Sequence, residues 1–240
     1  MEDQGDARQE AKGIMAAIDY TRFVAEAKAP SIEELATFLE AELPYEWVDA
    51  YRLVTDYDPN IWRIRVESFE YLFDHVTELV QRNDLATEDA GDDRVVAVHG
   101  RSNPGVEPRP ESILRGAPRG AAEVLPDLGA KGYDRGHLMA HSIGGSTFIN
   151  IFPQLSGVNR GKSKHGREFR AMERYCSKHP GTYCFARPIY DGPTFLPAAL
   201  EYGVLKQDGE LWVRLFPNVA DPEDVAAMNR AFDERFGHKR

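Results

Sequence analysis

Cysteine is nearly missing from this chain. Cys176 and Cys184 are the only two, which excludes a disulfide-framework fold and fits thiols kept in a reducing compartment. No apolar run approaches the roughly 18 residues that a bilayer span requires. The opening MEDQGDARQEAK has neither the basic start nor the apolar stretch of a secretory leader. The expectation is a cytoplasmic protein with no membrane partner. Delivery by a non-classical secretion route stays open, and a Cys176–Cys184 bridge belongs to that second case. No internal repeat is visible. What remains, 240 residues with 42% apolar and 28% charged side chains, suffices for one sizeable core or a core plus a smaller helical partner domain.

Basic residues are scarce in the first 93 positions, which hold 8 Lys and Arg against 23 Asp and Glu. The rest of the chain reverses the balance, with 21 basic residues against 16 acidic. The net charge of -10 argues against a simple nucleic-acid binder, yet it hides a basic stripe. Arg160, Lys162, Lys164, Arg167, Arg170, Arg174 and Lys178 crowd RGKSKHGREFRAMERYCSK at 160–178, opposed by Glu168 and Glu173 alone. A solvated helix face is the ordinary reading of such a run.

The first part reads as helical. Ser31 with Glu34 three residues on is a capping box that starts a helix near residue 31. Ile61, Ile64, Phe69, Leu72, Phe73, Val76, Leu79 and Val80 suggest a second amphipathic helix over about 60–82. The acidic, glycine-containing LATEDAGDD at 85–93 reads as a boundary between an acidic helical domain, 1–93, and a second domain, 94–240. There, Arg94 to His99 is a strand candidate and 101–131 a long irregular connection of the kind that is often functional. A short element near 137–141 and a β-like run from Thr147 to Phe152 follow. Next come a helix over roughly 166–178, a strand from Tyr183 to Tyr190 interrupted by Pro188, and a hairpin about Gln207, Asp208 and Gly209. A last helix follows Asp221.

Chemistry concentrates in YDRGHLMAHSIGGSTFINIFPQLSGVN, residues 133–159. Gly136 permits close backbone approach, and Asp134 and Arg135 can anchor a loop by charge-assisted hydrogen bonds, so His137 can be fixed at a cleft edge. A neutral imidazole there can accept a proton from water. Asn150, Gln154 and Asn159 follow, and amide oxygens suit a hard cation such as Mg²⁺, which keeps most of its water. With Phe169, Met172 and Cys176 as the buried stripe of the following helix, Glu173 falls at the stripe's edge and needs a partner, either a metal-held water or an arginine. Two zinc readings compete: His137 with His141, which lacks a third ligand, and a knot of Cys176, His179, Cys184 and His165, whose spacing is irregular.

The order DRGHL, GG, N-x-x-P-Q, Asn and a basic helix with Met-Glu-Arg resembles the DNA/RNA non-specific endonucleases, the ββα-metal nucleases with a DRGH signature, over residues 132–175. The resemblance implies an α+β fold: a ββα-metal core with a mixed or antiparallel sheet, preceded here by an all-α N-terminal region. It implies sequence-non-specific, Mg²⁺-dependent hydrolysis of phosphodiester bonds in DNA, RNA or both, with Mn²⁺ or another divalent ion as a substitute and 5′-phosphate products. His137 corresponds to the general base, with Asp134 and Arg135 grouped beside it as catalytic. Asn159 corresponds to the metal ligand, Glu173 to the helix glutamate at the metal, and Asn150 and Gln154 to bracing residues. Arg160, Lys162, Lys164, Arg167 and Arg170 then become phosphate contacts. A transition-state arginine is expected among Arg101, Arg109, Arg115 and Arg119. Two alternatives remain: a nuclease-like module that binds without cutting, with the acidic half as docking surface for a protein partner, and a nuclease toxin with the acidic half as adaptor or autoinhibitory segment.

Overall fold

The computed structural model describes residues 18–55, 58–74, 94–105, 132–146, 150–190 and 196–219. Helix α1, Tyr20–Ala27, begins where the Asp19 carboxylate accepts from the Thr21 and Arg22 amides. Helix α2, Ile32–Val54, begins at the expected cap, with the Glu34 amide donating to Ser31 Oγ at 3.2 Å.

The helix expected over 60–82 is not formed where the chain is described. Residues Ile61–Val66 and Phe69–Asp74 are strands β1 and β2, joined by a two-residue turn in which Glu67 takes φ 53°. The spacing of apolar residues fits both periods, but Phe69, Tyr71 and Phe73 alternate, and β-branched and aromatic residues fill the run. Pairing with a buried neighbour settles it. Strand β3, Arg94–Arg101, matches the expected strand and pairs with β2.

Beyond β3 come strand β4, Tyr133–His137, a 3-10 turn at His141–Ile143, and strand β5, Ile151–Leu155. A four-residue helix α3, Ser156–Asn159, precedes helix α4, Lys164–Lys178, whose first turn is capped by Ser163 Oγ accepting from the Gly166 amide at 2.9 Å. Strands β6, β7 and β8 span Tyr183–Ile189, Ala199–Leu205 and Leu211–Pro217. The hairpin about Gln207 to Gly209 forms as expected, with Gly209 at φ 85°. Pro188 is tolerated inside β6 because the β3 ladder ends at Ala186, so no partner on that side asks for its missing amide. The β-like run at 147–152 is described only from Asn150 on, and the helix expected after Asp221 lies outside the described residues.

Among the described residues two antiparallel sheets form, a six-stranded one in the order β1-β2-β3-β6-β7-β8 and the β4-β5 hairpin. Helices α1 and α2 cover one face of the large sheet, where Phe23, Leu39, Leu43 and Trp47 pack on Ala97, Tyr183 and Phe185. On the other face Phe69, Tyr71, Val98 and Tyr202 pack against Leu138, Ile143, Phe152, Phe169 and Met172. The β4-β5-α4 unit, a ββα arrangement, is thus pressed onto a sheet whose reverse face belongs to the helices.

The boundary expected at 85–93 lies outside the described residues. On either side of it, however, β2 and β3 are neighbours in one sheet. The N-terminal part is therefore not all-α, and its elements share a core with those of residues 94–219. Fully buried Glu201 on β7 fixes the join: it accepts from Tyr20 Oη at 2.5 Å and from Arg187 Nε at 2.8 Å, while Trp47 Nε1 donates to Tyr20 Oη at 3.1 Å. Such a buried pair is costly to break because either charge left alone stays desolvated. Cys176 and Cys184 are both buried free thiols.

Candidate active site

Antiparallel pairing sets Asp134 opposite Gln154, Gly136 opposite Phe152 and His137 opposite Ile151. Because side chains alternate along a strand, Arg135 and His137 share one face of β4 and Asp134 lies on the other. The Gly136 position is crowded: a Cβ there would lie 2.3 Å from Gln154 Oε1, so only glycine lets β4 close over that side chain. Asn150 braces the loop after His137. Its Oδ1 accepts from the Met139 amide at 2.8 Å, and its Nδ2 donates to the carbonyls of Met139 and Ser146 at 2.6 and 2.7 Å. Gln154 is buried, and its amide meets no hydrogen-bond partner among the described residues.

Asp134 is the hub of the far face. Its Oδ2 accepts from Asn159 Nδ2 at 3.1 Å and from Arg160 Nε at 2.7 Å, and Oδ1 takes a second bond from Arg160. The Arg160 bond, against a smaller desolvation effect and with help from Asn159, holds the Asp134 carboxyl below its ordinary value. Arg160 thus favours the ionised form of Asp134, which lies on the face of β4 opposite to that of His137. With Nδ2 committed to a carboxylate, the Asn159 amide oxygen is turned to other partners.

Arg170 draws α3 and α4 together, donating to the Asn159 carbonyl at 2.7 Å and to Glu173 Oε2 at 3.1 Å. Gly166 allows that approach, since a Cβ there would meet the Gly157 carbonyl at 2.4 Å. Glu173 is buried, and burial lifts its carboxyl above the ordinary value against the pull of Arg170 and Arg174. It forms part of the wall of a cleft of about 630 Å³ lined by Arg160, Gly161, Arg167, Arg170, Arg174 and Ser142. Four guanidinium groups and one carboxylate line this cleft, and planar guanidinium forks have a geometry that suits phosphate oxygens.

The donor set fits a hard, largely hydrated cation. It offers the amide oxygen of Asn159 and the carboxylate of Glu173, both hard oxygens suited to Mg²⁺. Among the described residues no three His, Cys, Asp or Glu side chains gather into a ligand cage. The zinc knot drawn from Cys176, His179, Cys184 and His165 is accordingly not formed: Cys176 is fully buried in the core beneath α4, and the His179 ring lies 4.4 Å from that of Tyr175.

Of the arginines and lysines expected to touch phosphate, Arg160, Arg167 and Arg170 line the cleft, whereas Lys162 and Lys164 lie outside it. Arg160 and Arg170 also carry structural bonds. Arg101, a candidate transition-state arginine, is instead tied to α2, donating to Glu40 and, through both terminal nitrogens, to Glu33 at 3.0 and 3.1 Å. Arg109, Arg115 and Arg119 lie outside the described residues. Arg174 completes the cleft and had only its place in the basic stripe to signal it. Asn218 gave no signal at all. Buried at the end of β8, it donates to the carbonyls of Pro153 and Pro197 and accepts from the Leu155 amide, fastening the β4-β5 hairpin to the large sheet.

Among solved structures, one described as "Structure of Sda1 nuclease with bound zinc ion" is 28% identical over 37% of this chain and 40% of that one, with a TM-score of 0.31. The likeness thus spans less than half of the Sda1 chain. No curated protein matches. Residues 107–223, just under half of the chain and including the whole of the β4-β5-α4 unit, match the family model of the DNA/RNA non-specific endonucleases, so this segment is similar to that family.

Proposed function

We propose that this chain is a Mg²⁺-dependent endonuclease that hydrolyses phosphodiester bonds of DNA, RNA or both without reading sequence. The observation that carries the reading is the junction at Asn159: its side chain is oriented by Asp134 and its carbonyl is tied through Arg170 to Glu173, at the rim of an arginine cleft.

In this reading a neutral His137 takes a proton from the attacking water. Asn159 and Glu173 would hold the cation, which when bound would supply charge stabilisation at the scissile phosphate. Asp134 reacts with nothing; it keeps Asn159 in one rotamer. Arg167 and Arg174 grip the phosphates flanking the scissile bond, a contact blind to base identity. The expected products carry 5′-phosphates.

The test incubates the full chain with supercoiled plasmid and with RNA, in Mg²⁺ and in EDTA, beside His137→Ala. Metal-dependent cleavage that vanishes in the variant, while its thermal melt is unchanged, supports the proposal. Binding without cleavage under any divalent ion would replace it with a nucleic-acid-binding module.

A further inference from the structure

Among the described residues β1 has a strand neighbour on one side only, so it is an edge of the large sheet. Its middle four residues are exposed. Trp62 is 55% and Ile64 44% exposed, and nearby Tyr45 of α2 is 63% exposed under the Arg63 guanidinium, 5.4 Å from the ring centroid. Register places Trp62 and Ile64 on the face of Tyr71 and Phe73, and Arg63 and Arg65 on the face of Leu72 and Glu70. The strand thus offers an apolar row on one side and a cationic row on the other. Glu70 lies 4.0 Å from Arg63 and opposite Arg65, but it is also 3.1 Å from buried His99, so one carboxylate is shared among three groups.

Edge strands that only need protection carry charges and keep large apolar groups covered. This one leaves a tryptophan more than half exposed. A second copy is a poor occupant. Two-fold pairing about Arg63 sets that arginine against itself, and pairing about Ile64 sets Arg63 against Arg65; like charges directly opposite are destabilising. An added strand with acidic residues opposite Arg63 and Arg65, and apolar ones opposite Trp62 and Ile64, satisfies both faces.

We infer that β1 is a docking edge for an extended segment of a protein partner in which acidic and apolar residues alternate, taken up by strand addition. The site lies on the sheet edge and uses no residue of the arginine cleft.

The probe is a labelled peptide of alternating Glu and Val, with a control of the same composition in which the four Glu are contiguous, each titrated against the full chain by fluorescence anisotropy. The same titrations are run on Arg63→Glu/Arg65→Glu and on Arg167→Glu/Arg174→Glu, with backbone hydrogen exchange across 61–66. The expected result is tighter binding of the alternating peptide, slowed exchange in β1, and about a tenfold or greater loss in the β1 double variant. Its plasmid cleavage should match that of the parent, while its melting temperature falls slightly because the Arg65 substitution sets a carboxylate opposite Glu70. Equal binding of both peptides, loss confined to the cleft variant, or a dimer abolished by the β1 substitutions would each overturn the assignment, the first two pointing to the anion cleft and the third to a second copy.

Discussion

Replacing Asn159 by Asp tests the hub directly, because aspartate is ordinarily the stronger ligand for a divalent cation yet here it would face another carboxylate. Asn159 Nδ2 lies 3.1 Å from Asp134 Oδ2, and the Asp134 side chain is only 16% exposed. Two unit negative charges at that separation repel by about 1 kcal/mol in bulk water and by about 5 kcal/mol at an effective dielectric of ~20. Arg160, bound to Asp134 on its exposed side, offsets part of this. A net destabilisation of about 2 kcal/mol is expected, which lowers Tm by roughly 4–8 °C for a chain of this size. The sign with pH follows from linkage. Repulsion raises the folded-state pKa of the new carboxyl above its unfolded value near 3.9, so the folded state binds the extra proton more tightly. The penalty is absent below about pH 4, grows as pH rises toward the raised folded value, and is constant above it. Thermal melts of both proteins from pH 4 to 8, with and without Mg²⁺, read this out, and Mg²⁺ should restore part of the lost stability at pH 7. Equal Tm values across that range would refute the Asp134–Asn159 contact and the orienting role drawn from it.

Glu201→Ala should cost about 3–5 kcal/mol, since it strands buried Arg187 and removes the acceptor of Tyr20; urea unfolding measures it, and a loss under 1 kcal/mol would show the cluster to be solvated. Arg174→Glu should weaken DNA binding and flatten the slope of log K against log salt by about 0.9 for each phosphate no longer neutralised, and an unchanged slope would place the substrate elsewhere. Deleting residues 1–90 should abolish folding, because it removes β1, β2, α1 and α2 from a shared core. A soluble truncation with a cooperative melt and raised cleavage would support autoinhibition by that segment instead.

The ββα unit was legible because its determinants are close in sequence. Asp134, Gly136, Asn150, Asn159 and Glu173 fall within forty residues, and their contacts run along a hairpin and the helices that follow it. The capping box at Ser31 was legible for the same reason. The error at 60–82 arose where one apolar pattern satisfied two periods and only a long-range partner, β3, could choose between them. The use of Arg101 was hidden in another way. Its partners Glu33 and Glu40 stand 68 and 61 residues before it, and no local feature separates an arginine that meets phosphate from one that meets a carboxylate. Asp134, grouped by motif with His137 as catalytic, is set apart from it by strand alternation, a distinction that needed the β4-β5 register.

The charge asymmetry takes a different meaning once the layers are known. Several acidic residues of the N-terminal part are engaged where they stand: Glu33 and Glu40 hold Arg101, Glu70 meets His99, and Asp74 accepts from Tyr51 and the Asn60 amide. Helix α2 lies on one face of the large sheet, while α4, with Arg167, Arg170 and Arg174, packs on the other. At about 10 Å per packed layer, the acidic and basic helices are roughly 20 Å apart. The carboxylates of α2 therefore lie across the sheet from the cleft and do not cover it. In the proposed reading the cleft arginines steer the phosphates, and the salt dependence of binding should fall when they are substituted.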